Sequence, residues 1–130
     1  MKILVVDDDQ NIRRLLNFNL SAAGHKVIVA TNGKEGVEKA IKDKPDLILL
    51  DIMMPVMNGY EACKTLKEQD ITKDIPVFML SAKSQMMDLD DAFNVGADDY
   101  ITKPFDIEKL DYSINYKLKT YNERKKSQNK

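Results

Sequence analysis

Cysteine, histidine and tryptophan are scarce in this chain of 130 residues, which has one cysteine, one histidine and no tryptophan. With a single cysteine no disulfide can form within the chain, and a metal site built from several cysteines or histidines is excluded. No apolar run approaches the roughly 20 residues of a membrane-spanning helix. The N-terminus leads directly into a predicted strand rather than into a secretory signal. These absences predict a cytoplasmic protein without a membrane segment.

Charge is almost balanced over the whole chain but not along it. The formal net charge is −1, yet residues 117–130 carry six basic side chains and one acid. Such a segment can bind nucleic acid, but a few lysines give only weak, salt-sensitive binding. We interpret it as a solvated helix end. The length suits one domain, so we predict a domain over residues 1–122 and a basic polar tail or linker stub over 123–130.

Short apolar or β-branched runs alternate with segments of helical spacing. Strict alternation favours right-handed crossovers and a parallel sheet covered on both faces. Five units fit an α/β, doubly wound, flavodoxin-like (βα)5 fold with strand order 2-1-3-4-5. Its ligand site is expected at the carboxyl ends of strands 1 and 3, where the order reverses. The predicted strands are Ile3–Val6, Lys26–Ala30, Leu47–Leu50, Val77–Leu80 and Tyr100–Thr102.

Helical spacing of apolar residues marks five helices between and after these strands. Gly24 is predicted to end the first helix, and Asp106 is predicted to be the N-cap of the fifth. The apolar residues of the fourth are Met87, Leu89, Ala92 and Phe93.

Carboxylates cluster at the predicted site. Asp51 ends the third strand, and Asp7 and Asp8 follow the first. Like charges about 4 Å apart repel by roughly 4 kcal/mol at a surface-like dielectric, so a cation is expected among them. Oxygen ligands suit Mg²⁺. One acid of the Asp7/Asp8 pair, Asp51, a backbone carbonyl just past Asp51 and waters would complete its coordination.

A lysine and a hydroxyl are expected to join these acids. Lys103 follows the fifth strand and precedes Pro104, whose preceding residue favours an extended or cis geometry. Ser81 follows the fourth strand. A carboxylate nucleophile, a metal, an ammonium and a hydroxyl are the groups that phosphoryl transfer to an aspartate requires.

These residues resemble the receiver domain of two-component response regulators, a CheY-like family, over about residues 2–120. Each motif is weak alone, but all occur in order at predicted strand ends. The motifs are Asp7-Asp8, Asp51, Met54-Pro55, Asn58-Gly59, Ser81-Ala82, Gly96-Ala97, Tyr100 and Lys103-Pro104-Phe105.

The resemblance implies a role for each of these positions. Asp51 would accept a phosphoryl group from a histidine kinase or phosphotransfer protein. Asp8 would bind Mg²⁺ directly and Asp7 largely through water, with the backbone carbonyl of Met53 as a further ligand. Lys103 would pair with the phosphoryl group. The remaining implied roles are a phosphoryl contact from the backbone N–H of Ala82 and switch functions for Ser81 and Tyr100.

The resemblance also implies how the protein signals. Phosphorylation would switch the surface of the fourth helix, fifth strand and fifth helix, which would contact an effector protein or domain or form a phosphorylation-dependent homodimer. The chain would catalyse only its own phosphorylation and dephosphorylation, and nucleic acid is not an expected partner of this chain itself.

Two other functions fit part of this pattern. A haloacid-dehalogenase-like phosphatase also forms an aspartyl-phosphate, but it needs an aspartate two residues after the nucleophile, where this chain has Met53. A degenerate receiver serving only as an interaction module is disfavoured because Asp51, Asp8 and Lys103 are all present.

Overall fold

Five parallel strands form the centre of the molecule in the computed structural model, which describes residues 1–52, 54, 56–82 and 95–128. Their order is β2-β1-β3-β4-β5, and every neighbouring pair is parallel. The predicted doubly wound α/β fold is therefore confirmed. The strands are β1 Lys2–Val6, β2 Lys26–Ala30, β3 Leu47–Asp51, β4 Val77–Ala82 and β5 Asp99–Lys103.

Four helices lie in the described part of the chain. They are α1 Gln10–Ala22, α2 Gly33–Asp43, α3 Gly59–Glu68 and a C-terminal helix, Leu110–Gln128, which follows a 3₁₀ turn at Ile107–Lys109. The helix predicted around Met87 to Phe93 falls outside the described residues. None of the described helices is both long and apolar enough to cross a bilayer.

Short polar side chains begin the first three helices. Asp9, Asn32 and Asn58 each accept a hydrogen bond from a backbone N–H of the following turn. Such caps typically contribute about 1 kcal/mol each. Asp106 was predicted to do the same for the C-terminal helix, but it precedes the 3₁₀ turn and makes no side-chain cap hydrogen bond. That prediction was wrong.

Alternate residues of the central strands face two separate apolar cores. Leu4 and Leu50 lie in the core under α2 and α3, whereas Val5 and Leu49 lie in the core under α1 and the C-terminal helix. All four are at most 1% exposed. Burying one such side chain stabilises the fold by roughly 1.5–3 kcal/mol. Because helices cover both faces of the sheet, a functional site is expected at the carboxyl ends of the strands.

Glycines set two helix ends. Gly24 has φ +95° just after α1, as the prediction of a helix end there requires. Gly59 opens α3, and its N–H donates a 2.8 Å hydrogen bond to the carbonyl of Ile52. A Cβ on Gly59 would collide with the carbonyl oxygen of Asp51 and lie 2.8 Å from the Cα of Ile52. The start of α3 is thus held against the end of β3.

The C-terminal helix is hydrogen-bonded to the segments that precede β4 and β5, at the amino ends of these strands. The Tyr121 hydroxyl donates to the carbonyl of Asp74 at 3.1 Å, and Arg124 donates to the carbonyl of Asp98 at 3.3 Å. The helix runs on to Gln128. A domain boundary at residue 122 stays a prediction.

Candidate functional site

Three carboxylates meet where β1 and β3 end. These strands are neighbours, with Val6 level with Leu50, so the residues that follow them project from the same edge of the sheet. Oxygens of Asp7, Asp8 and Asp51 all lie within 4.8 Å of one another. Asp7 is fully buried, Asp51 is 5% exposed and Asp8 is exposed. The fold therefore brings together the three acids that the sequence predicted.

Lys103 bridges two of these acids. It ends β5, two strands away from β3, and its Nζ lies 2.9 Å from Asp7 Oδ2 and 3.0 Å from Asp51 Oδ1. The peptide bond to Pro104 is cis, one of the two geometries that the sequence predicted. One ammonium thus contacts two buried carboxylates, and the cluster of three acids keeps an excess of negative charge.

Burial controls the protonation of Asp51. Desolvation, together with the charge of Asp7, raises the pKa of Asp51 from 3.8 to about 6, although Lys103 acts in the opposite direction. Burial alone would lower the pKa of Lys103, but hydrogen bonds and charge from Asp7 and Asp51 outweigh it, and the pKa is raised. Near neutral pH the site holds an ionised Asp51 beside a fixed ammonium.

This raised pKa predicts how stability depends on pH when no metal is present. Between pH 3.8 and about 6 the folded protein retains a proton on Asp51 that the unfolded chain has lost, so its stability falls as pH rises through that window. The full shift corresponds to about 3 kcal/mol. Asp51→Asn should therefore be more stable than wild type above pH 6, by up to about 3 kcal/mol, and similar to it near pH 4.

Urea unfolding of both proteins in EDTA from pH 4 to 8 measures this difference. Asp70→Asn is a matched control, because it makes the same chemical change at an almost fully exposed residue and should alter stability far less than Asp51→Asn does. A constant difference between Asp51→Asn and wild type across the range would contradict the assignment.

The chemistry of the donor set fits a hard divalent cation, since all three side chains offer carboxylate oxygens. Both oxygens of Asp7 already accept hydrogen bonds, Oδ1 from the N–H of Asp9 at 2.9 Å and Oδ2 from Lys103. Asp8 and Asp51 are therefore the acids better placed to give oxygens directly to an ion. Met53, whose carbonyl the sequence resemblance implied as a ligand, lies outside the described residues.

Comparison with known proteins decides the family. The profile of the response regulator receiver domain matches residues 3–115. The chain belongs to the response regulator receiver domain family. A receiver domain is a signalling domain of two-component systems, so the resemblance found in the sequence is confirmed.

Relatives of this receiver domain include transcriptional regulators. The alkaline phosphatase synthesis transcriptional regulatory protein PhoP of Bacillus subtilis is 48% identical over 104 residues, which is 80% of this chain and 42% of that protein. RpaA of Synechocystis, named a DNA-binding dual master transcriptional regulator, is 45% identical over 109 residues, 84% of this chain and 45% of that protein. The receiver domain spans about half the length of these relatives.

Solved structures show the same architecture. The chemotaxis protein CheY4 of Vibrio cholerae is 35% identical, covers 88% of this receiver domain with 96% of its own chain, and superposes with a TM-score of 0.83. A response regulator from Chloroflexus aurantiacus is 33% identical, with 90% and 96% covered and a TM-score of 0.84.

Ser81 and Ala82 lie at the end of β4, between the strands that carry Asp51 and Lys103. The Ser81 hydroxyl is buried and donates to the carbonyl of Ala82 at 3.2 Å. In this receiver domain it thus lies at the expected strand end, where its described hydrogen bond is to the neighbouring backbone.

Tyr100 is half-buried on β5, at the sheet edge. The Nζ of Lys117 lies 5.3 Å from the centre of its ring and 3.2 Å from Asp99 Oδ1. Such a cation–π contact contributes roughly 0.5–1 kcal/mol at an exposed site. The ring of the predicted switch residue is therefore held by the C-terminal helix.

Two contributors to the site were missed in the sequence. Arg13, on α1, donates a 2.8 Å hydrogen bond from Nη1 to the carbonyl of Asp7. Gly59 was recognised only as part of an Asn-Gly motif, not as the residue that lets α3 approach Asp51. For Gly59 the motif was a usable signal, whereas a lone arginine on a helix carries none.

Proposed function

We propose that this receiver domain takes a phosphoryl group onto Asp51 from a histidine kinase or phosphotransfer protein, with Mg²⁺ as cofactor, and acts as a switch. The observation that carries this proposal is the Lys103 ammonium bridging the buried Asp7 and Asp51 beside a third acid. The domain would act in the cytoplasm, and residues 123–130 would serve as its tail or linker stub.

Asp8 and Asp51 would hold the Mg²⁺ directly, Asp7 largely through water, and the carbonyl of Met53 would be a further ligand. When bound, the ion neutralises charge on the phosphoryl oxygens. The excess of carboxylates over ammonium in the cluster supports this ligand set.

Asp51 is the nucleophile in this reaction. Its carboxylate oxygen forms a bond to phosphorus while the bond from phosphorus to the donor histidine nitrogen breaks and leaves its electron pair on that nitrogen. An aspartate with a pKa of about 6 is mostly ionised at neutral pH, as a nucleophile must be. Water later attacks the acyl phosphate, which releases phosphate and restores Asp51.

Lys103 and the end of β4 stabilise the transferred group. The Lys103 ammonium, already 3.0 Å from Asp51 Oδ1, would donate to a phosphoryl oxygen instead. The N–H of Ala82 would donate to another. Preorganised donors of this kind stabilise developing charge without reorganising during the reaction.

Switching would follow from the same contacts. The Ser81 hydroxyl would leave the Ala82 carbonyl for the phosphoryl group, and Tyr100 would turn inward. The affected surface would be the predicted fourth helix with β5 and the C-terminal helix, where an effector or a second copy would bind in a population shift. PhoP and RpaA are named as transcriptional regulators. We therefore propose that the effector of this domain acts in transcription, and that this domain itself does not bind nucleic acid.

Labelling with a phosphodonor tests the proposal. Acetyl phosphate labelled on phosphorus should label the wild-type domain in Mg²⁺ and leave it unlabelled in EDTA. A label that resists neutral hydroxylamine would indicate an ester rather than an acyl phosphate and contradict the assignment to aspartate. A domain that stays unlabelled in Mg²⁺ would instead be an interaction module.

Mg²⁺ affinity should separate the two acids that follow β1. Asp8→Asn removes a direct ligand and should raise the Kd for Mg²⁺ roughly 100-fold, whereas Asp7→Asn acts through neighbours and should raise it about 10-fold. Calorimetric titration of both variants with MgCl₂ at pH 7.5 measures the order. A larger loss in Asp7→Asn would show that the roles are reversed.

A further inference from the structure

Arg13 forms a hydrogen bond to the loop that carries Asp7 and Asp8. It lies near the start of α1, is half-buried, and its Nη1 donates the 2.8 Å hydrogen bond to the carbonyl oxygen of Asp7. Its backbone N–H donates to the carbonyl of Asp9 at 3.0 Å. The side chain therefore reaches back over the first turn of the helix to the end of β1.

This bond completes the fixation of Asp7. The N–H of Asp7 donates to Ala30 at 3.2 Å, its Oδ1 accepts from Asp9, and its Oδ2 accepts from Lys103. The carbonyl held by Arg13 is the last polar group of the residue. It belongs to the same planar peptide group as the N–H of Asp8. Holding that oxygen thus fixes the direction in which the chain enters Asp8.

We propose that Arg13 is a positioning residue for the metal site, which holds Asp8 in place for Mg²⁺ by fixing the Asp7–Asp8 peptide group. This inference rests on the proposed function. Asp8 needs such support because it is exposed, unlike Asp7 and Asp51, which are held by burial.

Charge and position have opposite effects on Mg²⁺ binding, which makes the inference testable. A guanidinium near the site repels a divalent cation, so an arginine that acted only through its charge would weaken binding, and its removal would tighten binding. An arginine that positions a ligand strengthens binding, and its removal weakens binding.

The test is a calorimetric titration of the 130-residue chain with MgCl₂. Arg13→Met, which keeps an unbranched side chain but loses the donors, should raise the Kd about 10-fold. Arg13→Lys, which keeps a charged donor, should recover most of that loss. Arg14→Met is the matched control: it removes the same charge from the exposed neighbour on α1 and should leave the Kd unchanged or slightly lower.

A metal-free readout accompanies the titration. In EDTA, the amide of Asp9, which donates to Asp7 Oδ1, should exchange with solvent faster in Arg13→Met than in wild type, by more than any change in global stability that urea unfolding measures. If Arg13→Met does not fold, Arg13→Gln is titrated in its place, with the same expected sign.

The possible failures differ in their meaning. A wild type that binds Mg²⁺ and an Arg13→Met variant that binds it equally or more tightly would overturn this inference alone. A wild type that shows no Mg²⁺ binding would overturn the proposed metal site, and this inference with it.

Discussion

Replacing Asp51 by asparagine should abolish labelling by acetyl phosphate in Mg²⁺, with a fall of at least roughly 1,000-fold in the initial rate. An amide oxygen is a poor nucleophile, and the neighbouring acids cannot substitute for it. Asp7 is fully buried with both oxygens hydrogen-bonded, and Asp8 is proposed to hold the metal. The measurement is the incorporated label per chain over time.

Asp70→Asn is the control for this prediction, since it makes the same chemical change at an almost fully exposed residue. It should be labelled at the wild-type rate. Because Asp51→Asn is expected to be at least as stable as wild type near neutral pH, its loss of labelling cannot be ascribed to unfolding. Labelling of Asp51→Asn at the wild-type rate would remove Asp51 from the mechanism.

Substituting Gly59 by alanine should be the most destabilising of the single changes considered. The new Cβ would collide with the carbonyl oxygen of Asp51 and lie 2.8 Å from the Cα of Ile52. Both are backbone atoms that a rotamer change cannot move. Overpacking typically costs about 1–3 kcal/mol, and a collision with backbone atoms should place this change at the upper end of that range. Relief requires the end of β3 or the start of α3 to shift, so labelling of Asp51 should fall as well.

Gly24→Ala separates the collision from the loss of glycine as such. Gly24 has φ +95° but no atom within 4 Å of an added Cβ, so only its backbone conformation is penalised, at about 1 kcal/mol. Urea unfolding of both variants gives the comparison. A Gly59→Ala variant within 1 kcal/mol of wild type would show that α3 can retreat from Asp51 at little cost.

Much of the architecture was predictable because the inner strands β1, β3 and β4 are almost wholly buried. β3 is buried along its whole length, so its apolar run predicted the strand and the place where Asp51 must emerge. The sequence predicted that Lys103 lies at the same sheet edge as the acids, but not which two carboxylates it contacts. Lys103 lies close to Asp51 because a single strand, β4, separates β5 from β3. That separation follows from the strand order.

Side-chain contacts that cross an element boundary were not predictable. Arg13 reaches six residues back to the Asp7 carbonyl, and the pattern of apolar residues reports which face of a helix is buried, not where a long polar side chain folds. Asp106 shows the converse. Its residue type suits an N-cap, but the C-terminal helix is preceded by a 3₁₀ turn, which changes the position of the first free N–H groups.

The bridge made by Lys103 also has a mechanical meaning. Asp7 follows β1, whereas Asp51 and Lys103 end β3 and β5, so one ammonium joins an outer strand to two inner ones. Any group that accepts the hydrogen bond of this ammonium in place of Asp51 removes one of the two links between the strands. The outer strand also carries Tyr100, whose ring contacts the C-terminal helix through Lys117. A change of charge at Asp51 would thereby alter how firmly the outer strand is held.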